Sequence, residues 1–112
     1  MTPEREDRIA KTEALFRDVN ERIAESAERF SADAAEFVCE CADVSCTSRV
    51  EATLDEYDEV RSKPTHFLLV PGHEDPRIER IVKHGPRHAI VEKFERIVVQ
   101  TVRRLDPRAE PV

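Results

Sequence analysis

Three cysteines, Cys39, Cys41 and Cys46, fall within eight residues of a 112-residue chain that has no others. Thiols this crowded force a tight turn and ask for a reason to stand together. An odd number, behind a charged N-terminus that does not read as a secretion signal, argues against a disulfide framework. Metal ligation is the leading explanation, because zinc binds thiolates well. An iron–sulfur cluster is the weaker metal reading, since such clusters are usually held by four cysteines. Without metal, the cluster reads as reactive thiols, or as a small buried Cys39 with Cys41 and Cys46 incidental.

A structural zinc takes four ligands, so the Cys-x-Cys-x4-Cys run leaves one to find. The candidates are His66, His73, His84 and His88. His73 stands out because the turn pair Pro71-Gly72 can swing its imidazole off the end of a strand. A Cys3His site of Cys39, Cys41, Cys46 and His73 would tie the cysteine turn to that strand. It would also add folding energy to a chain with 5% aromatic residues and no Trp, whose core is thin. A catalytic zinc would instead need an open position and a nearby acid or base. Glu40 and Glu74 adjoin the ligands, but with 24 acidic residues in the chain both read first as surface carboxylates. Neither His-Glu-x-x-His nor the Pro-Cys-x-x-Cys of zinc deaminases is present.

The fold class expected is α+β: a long N-terminal helix, then a small domain with a short antiparallel or mixed sheet and two or three short helices. The division falls between an amphipathic helix over residues 1–34 and an α+β domain over residues 35–112 that carries the cysteines. Ile9, Phe16, Val19, Ile23 and Phe30 repeat at helical spacing, behind Thr2 as N-cap and Pro3 at the first helical position. The stripe is narrow, so the helix lies on its own domain or pairs with a second copy. Residues 37–39 and 49–53 read as a strand and its return. Thr53 and Glu56 fit a capping box for a helix that turns Leu54, Tyr57 and Val60 inward and stops at Lys63-Pro64. Residues 66–70 form the best strand. Asp75-Pro76 then opens a helix with Ile78, Ile81 and Val82 on its apolar side, ended by Gly85-Pro86. Residues 87–93 read as a strand. Phe94, Val98, Val102 and Leu105 mark a last helix, with a continued strand as its rival.

Net charge is −6, which disfavours nucleic acid as a partner, and no apolar run is long enough for a membrane span. The cytoplasm is the expected location. Residues 1–63 hold 9 Lys+Arg against 17 Asp+Glu, and residues 64–112 hold 9 against 7. The halves can therefore attract each other, within one chain or between copies. Arg77, Arg80, Lys83 and Arg87, with His84 and His88, form the one basic group. On a helix from Asp75, Arg77 and Arg80 would share a side that takes an anion, or that is simply a solvated face balanced by Glu79.

The pieces Phe37-Val-Cys-Glu-Cys41, Cys46, Val70-Pro-Gly-His-Glu74 and Val91-Glu-Lys93 resemble, in order, a group of small uncharacterised bacterial proteins. Leu15-Phe-Arg-Asp-Val-Asn-Glu-Arg-Ile23 is similar to theirs as well. The resemblance spans residues 13–108 and supports His73 as the fourth ligand, without implying an activity. The function expected is a non-enzymatic binding or regulatory module with a structural zinc. It would meet a protein partner or form a homodimer through the helix over residues 9–30. The alternatives are a thiol-based redox or metal sensor and a small zinc-dependent enzyme.

Overall fold

A computed structural model describes residues 3–108; Thr2, the expected N-cap, lies outside the described residues. The chain is α+β, as expected. Helix α1 (Pro3–Arg29) is followed by a two-stranded antiparallel hairpin, β1 (Ala34–Val38) and β2 (Arg49–Thr53). Helix α2 (Leu54–Arg61) leads into strands β3 (His66–Leu69), β4 (Glu79–His84) and β5 (Ala89–Lys93), and helix α3 (Arg96–Arg104) comes last. The second sheet is antiparallel in the order β3-β5-β4.

Local chemistry explains the ends of these elements. No glycine stops α1; Ser31 does so by adopting a left-handed φ of 57°. The Ser31 N–H then reaches the Glu28 carbonyl at 3.0 Å and the Ala32 N–H reaches Ala27 at 2.8 Å, which satisfies carbonyls the helix end would leave bare. The capping box at α2 forms as read: Glu56 N–H donates to Thr53 Oγ1 at 3.0 Å, and Thr53 N–H donates to Glu56 Oε1 at 2.8 Å. The last element is a helix, capped by Glu95, whose carboxylate accepts from the Val98 N–H at 2.8 Å. The apolar core gathers Phe37, Val50, Tyr57, Val60, Phe67, Leu68, Leu69, Ile78, Val91, Val98 and Val102. Within it the rings of Phe37 and Tyr57 stack at 4.5 Å.

Two expectations are overturned. The helix read over residues 75–84 is a single turn followed by β4. Asp75 does cap that turn: its carboxylate accepts from the Arg77 N–H, and its carbonyl accepts from the N–H of Ile78 and of Glu79. Beyond it, β5 offers an open edge that Glu79, Arg80 and Ile81 pair with, opposite Lys93, Glu92 and Val91, and a bulge at Val82 shifts the register. Sheet pairing wins over local helix propensity there. Gly85-Pro86, read as a helix stop, belongs to the hairpin loop in which the Gly85 N–H meets the His88 carbonyl at 2.9 Å.

The second correction concerns the face that α1 buries. It docks against α3 and β1 through Glu6, Ala10, Glu13, Ala14, Arg17, Asn20 and Ala24. The apolar stripe lies to one side of this face: Ile9, Phe16 and Ile23 are half-buried, Val19 is 39% exposed and Phe30 is 78% exposed. Alanines let the helix approach closely, and each polar residue has a dedicated partner. Arg17 stacks over the Phe67 ring at 4.5 Å and donates to the Pro64 and Val102 carbonyls, both at 2.7 Å. The Val102 carbonyl lies in the last turn of α3, where helix carbonyls lack intrahelical partners. Lys93 joins Glu13 at 2.6 Å and also bonds Glu79, with all three side chains buried.

Two carboxylates around one ammonium leave a surplus negative charge, so the buried trio is neutral only when one carboxyl keeps a proton. Burial pushes Glu13 up to about 7, outweighing the pull of Lys93. Between its unfolded value of 4.5 and about 7, the native state therefore holds a proton that the unfolded chain has lost. That contribution to stability is fully present below 4.5 and drains away as the pH rises to about 7. Glu13→Gln is expected to remove up to about 1.4 kcal/mol per pH unit of this slope. Urea denaturation of both proteins at pH 5, 6 and 7 checks it; parallel profiles would show that Glu13 does not hold the proton.

Candidate metal centre

The three cysteines lie where the β1–β2 hairpin opens. Cys39 still pairs with β2's approach, its N–H donating to the Ser48 carbonyl at 3.2 Å. The chain then leaves the hairpin, and Asp43 closes a tight turn. Its carboxylate accepts from the Ser45 N–H at 2.9 Å and the Ser45 hydroxyl at 2.6 Å, and its carbonyl accepts from the Cys46 N–H at 3.0 Å. From the other side, β3 ends in the Pro71-Gly72 turn, with Gly72 at a φ of 94°. The His73 N–H returns to the Val70 carbonyl at 3.0 Å, and Glu74 braces the turn by accepting from the Gly72 N–H at 3.0 Å.

These two turns bring one donor atom each from Cys39, Cys41, Cys46 and His73 within 4.8 Å of one another. His73 Nδ1 stands 3.5 Å from Cys39 Sγ and 3.7 Å from Cys46 Sγ. A tetrahedral zinc with bonds of about 2.3 Å to sulfur and about 2.0 Å to nitrogen sets neighbouring S and N about 3.5 Å apart. It sets neighbouring sulfurs about 3.8 Å apart, so the thiols need to draw in by at most about 1 Å. All four sequence candidates are thus brought together. His66 instead faces Glu92 at 3.3 Å, and His88 is buried beside the hairpin loop.

Cys39 and Cys41 are buried, Cys46 is half-buried and His73 is exposed. Desolvation pushes the Cys39 and Cys41 thiols up, although the Val70 N–H, 3.3 Å from Cys39 Sγ, favours its thiolate. At Cys46 a smaller desolvation cost is outweighed by hydrogen bonds with Ser48, Cys41 and His73, which bring the thiol down to about 7. A buried cluster of this kind ionises fully only when a cation compensates it.

Glu40 corrects the sequence reading. It is fully buried, not a surface carboxylate. Oε1 accepts from the Leu68 N–H at 2.9 Å and Oε2 from the Asn20 amide at 2.8 Å. Asn20 also spans the end of β1, donating to the Val38 carbonyl at 2.9 Å and accepting from the Val38 N–H at 2.8 Å. The Glu40 N–H closes the link to the Leu68 carbonyl at 2.9 Å. Asn20 was missed as a site residue. The legible signal was Glu40 itself: in an extended chain neighbours point to opposite sides, so a residue between two thiols that share one pocket faces away from that pocket, here toward Asn20 and Leu68.

The basic group does not form a site. Arg77 pairs with Asp75 at 2.9 Å, Arg80 with Glu92 at 3.6 Å, Lys83 with Glu59 at 2.9 Å and Arg87 with Glu51 at 3.4 Å. No family model, curated protein or solved structure matches the sequence.

Asn20→Ala would strip partners from the Glu40 carboxylate and from both backbone groups of Val38. Its expected cost is about 2 kcal/mol or more of unfolding free energy. In chelator, Cys39 and Cys41 should also react faster with a chromogenic disulfide reagent, and unchanged thiol kinetics would show that Asn20 does not brace the turn.

Proposed function

We propose that the protein is a non-enzymatic binding module whose fold is stapled by a structural zinc ion held by Cys39, Cys41, Cys46 and His73. The observation that carries this reading is the convergence of the four donors within 4.8 Å, with His73 Nδ1 at 3.5 and 3.7 Å from two of the thiols, close to the spacing a tetrahedral ion requires. Thiolate-rich sets with a single imidazole suit zinc among the common divalent metals. A structural rather than catalytic role is supported by the neighbouring carboxylates. Both Glu40 oxygens are engaged by Asn20 and Leu68, and Glu74 supports the Gly72 turn. A reducing compartment such as the cytoplasm would keep the three thiols available. Among the described residues no helix is long and apolar enough to cross a membrane. The partner-facing side is α1, whose uncovered apolar residues are open to another protein or to a second copy.

Protein purified without added zinc should carry close to one equivalent of it. Chelation should lower the melting temperature by many degrees, because binding free energy at a structural site is folding free energy. Cys39→Ser should lose the metal and the fold together. His73→Ala, at an exposed position, should keep the secondary structure and bind zinc far more weakly. Zinc below a tenth of an equivalent, with melting unchanged by chelator, would overturn the reading.

A further inference from the structure

We propose that Cys46 is the site at which a peroxide oxidises the cysteine cluster, and that Cys41 then closes a Cys41–Cys46 disulfide that releases the metal. The proposal rests on the zinc reading and adds the regulation of that site. The three thiols are not equally placed. Cys39 and Cys41 are 2% and 3% exposed, whereas Cys46 is half-buried. Cys39 is also pinned: its N–H donates to the Ser48 carbonyl at 3.2 Å, and its Sγ accepts from the Val70 N–H at 3.3 Å. Withdrawing it would break the link between the hairpin and the end of β3. Cys41 and Cys46 bound a turn that is held differently. Among the described residues, the backbone groups of residues 41–46 bond only within that turn, to Asp43. The turn can therefore tighten without breaking a bond in either sheet. Its two sulfurs already lie within 4.8 Å of each other, and a disulfide brings them to about 2.05 Å. A Cys39–Cys41 bridge would instead close a ring across Glu40, whose carboxylate is committed to Asn20 and Leu68.

Metal-bound cysteines are thiolates, the nucleophilic form. A cleft of about 330 Å³ lined by Cys41, Ala42, Asp43 and His73 opens onto the cluster. The Asp43 carboxylate repels anionic oxidants, so an uncharged peroxide suits the site. In the first step the Cys46 sulfur attacks one peroxide oxygen. An S–O bond forms, the O–O bond breaks, and the departing hydroxide takes a proton from solvent. In the second step the Cys41 sulfur attacks the sulfenic sulfur of Cys46. The S–S bond forms, the S–O bond breaks, and a second hydroxide leaves as water after taking another solvent proton. The two thiolates lose two electrons, and the peroxide gains them in becoming two waters. Cys39 and His73 are then the only donors left, two short of a tetrahedral set.

The test treats the zinc-loaded, full-length protein with about a hundredfold excess of hydrogen peroxide. Zinc release to a chromogenic chelator is followed, the remaining thiols are alkylated, and tandem mass spectrometry locates the label. Zinc release should keep pace with disulfide formation, Cys39 should carry the label, and a dithiol reductant should restore zinc binding. A bridge that includes Cys39, or zinc retained throughout, would overturn the proposal. Cys46→His, which keeps a donor at the exposed position without an oxidisable sulfur, should hold zinc and slow its release to peroxide by about tenfold or more. Release as fast as from the unaltered protein would also overturn it. The disulfide map of the unaltered protein decides the matter whether or not that variant takes up zinc. Zinc is quantified before peroxide is added. A zinc-free chain that still forms the Cys41–Cys46 bridge overturns the zinc reading alone, and a zinc-loaded chain that keeps its metal and its thiols overturns the oxidation site alone.

Discussion

The Glu40 carboxylate is the point at which the separate parts of this protein meet. It sits between two thiols in sequence, yet its oxygens bond Asn20 on α1 and the Leu68 amide on β3. One buried group therefore joins the long helix, the end of the hairpin and the second sheet. Burial raises the Glu40 carboxyl, a cost offset by the bonds from Asn20 and Leu68 and by the charges of Arg17 and Arg61. Such an arrangement tolerates little displacement, because any partner withdrawn leaves a polar group stranded in the interior. It fixes where Cys39 and Cys41 can stand, and so fixes one side of the Cys3His cluster.

The same logic extends along α1. A helix docked by leucines can slide or rotate at modest cost. One docked by Glu13, Arg17 and Asn20 has a single register in which each finds its partner. Arg61 strengthens the far end, bonding Glu21 at 2.6 Å and also Asp106. Polar docking sets α1 in place while leaving part of its apolar stripe outside. The way the fold is held therefore also decides which apolar residues of α1 stay exposed.

What could be read in the residues follows from how local each signal is. The capping box of Thr53 and Glu56, the strand over residues 66–70, the Pro71-Gly72 turn and the four donor residues were all legible, because each depends on neighbours in sequence or on ligand chemistry. The buried face of α1 was not. Apolar periodicity points to Ile9, Phe16, Val19 and Ile23, but the helix is anchored by residues whose burial makes sense only beside partners far along the chain, such as Lys93 for Glu13. The segment over residues 79–84 failed for a related reason. A true one-turn cap at Asp75 looked like a helix start, and the open edge of β5 that claims the next residues is visible only in three dimensions.

The central claim is that Cys39, Cys41, Cys46 and His73 close around a single zinc ion. Zinc K-edge X-ray absorption on the purified protein tests it most directly, since it reads the ligand set without relying on stability or activity. A Cys3His site gives three sulfurs at about 2.3 Å and one nitrogen at about 2.0 Å, with imidazole outer-shell scattering. A shell with two or fewer sulfurs, or with a water oxygen where the imidazole should be, would contradict it.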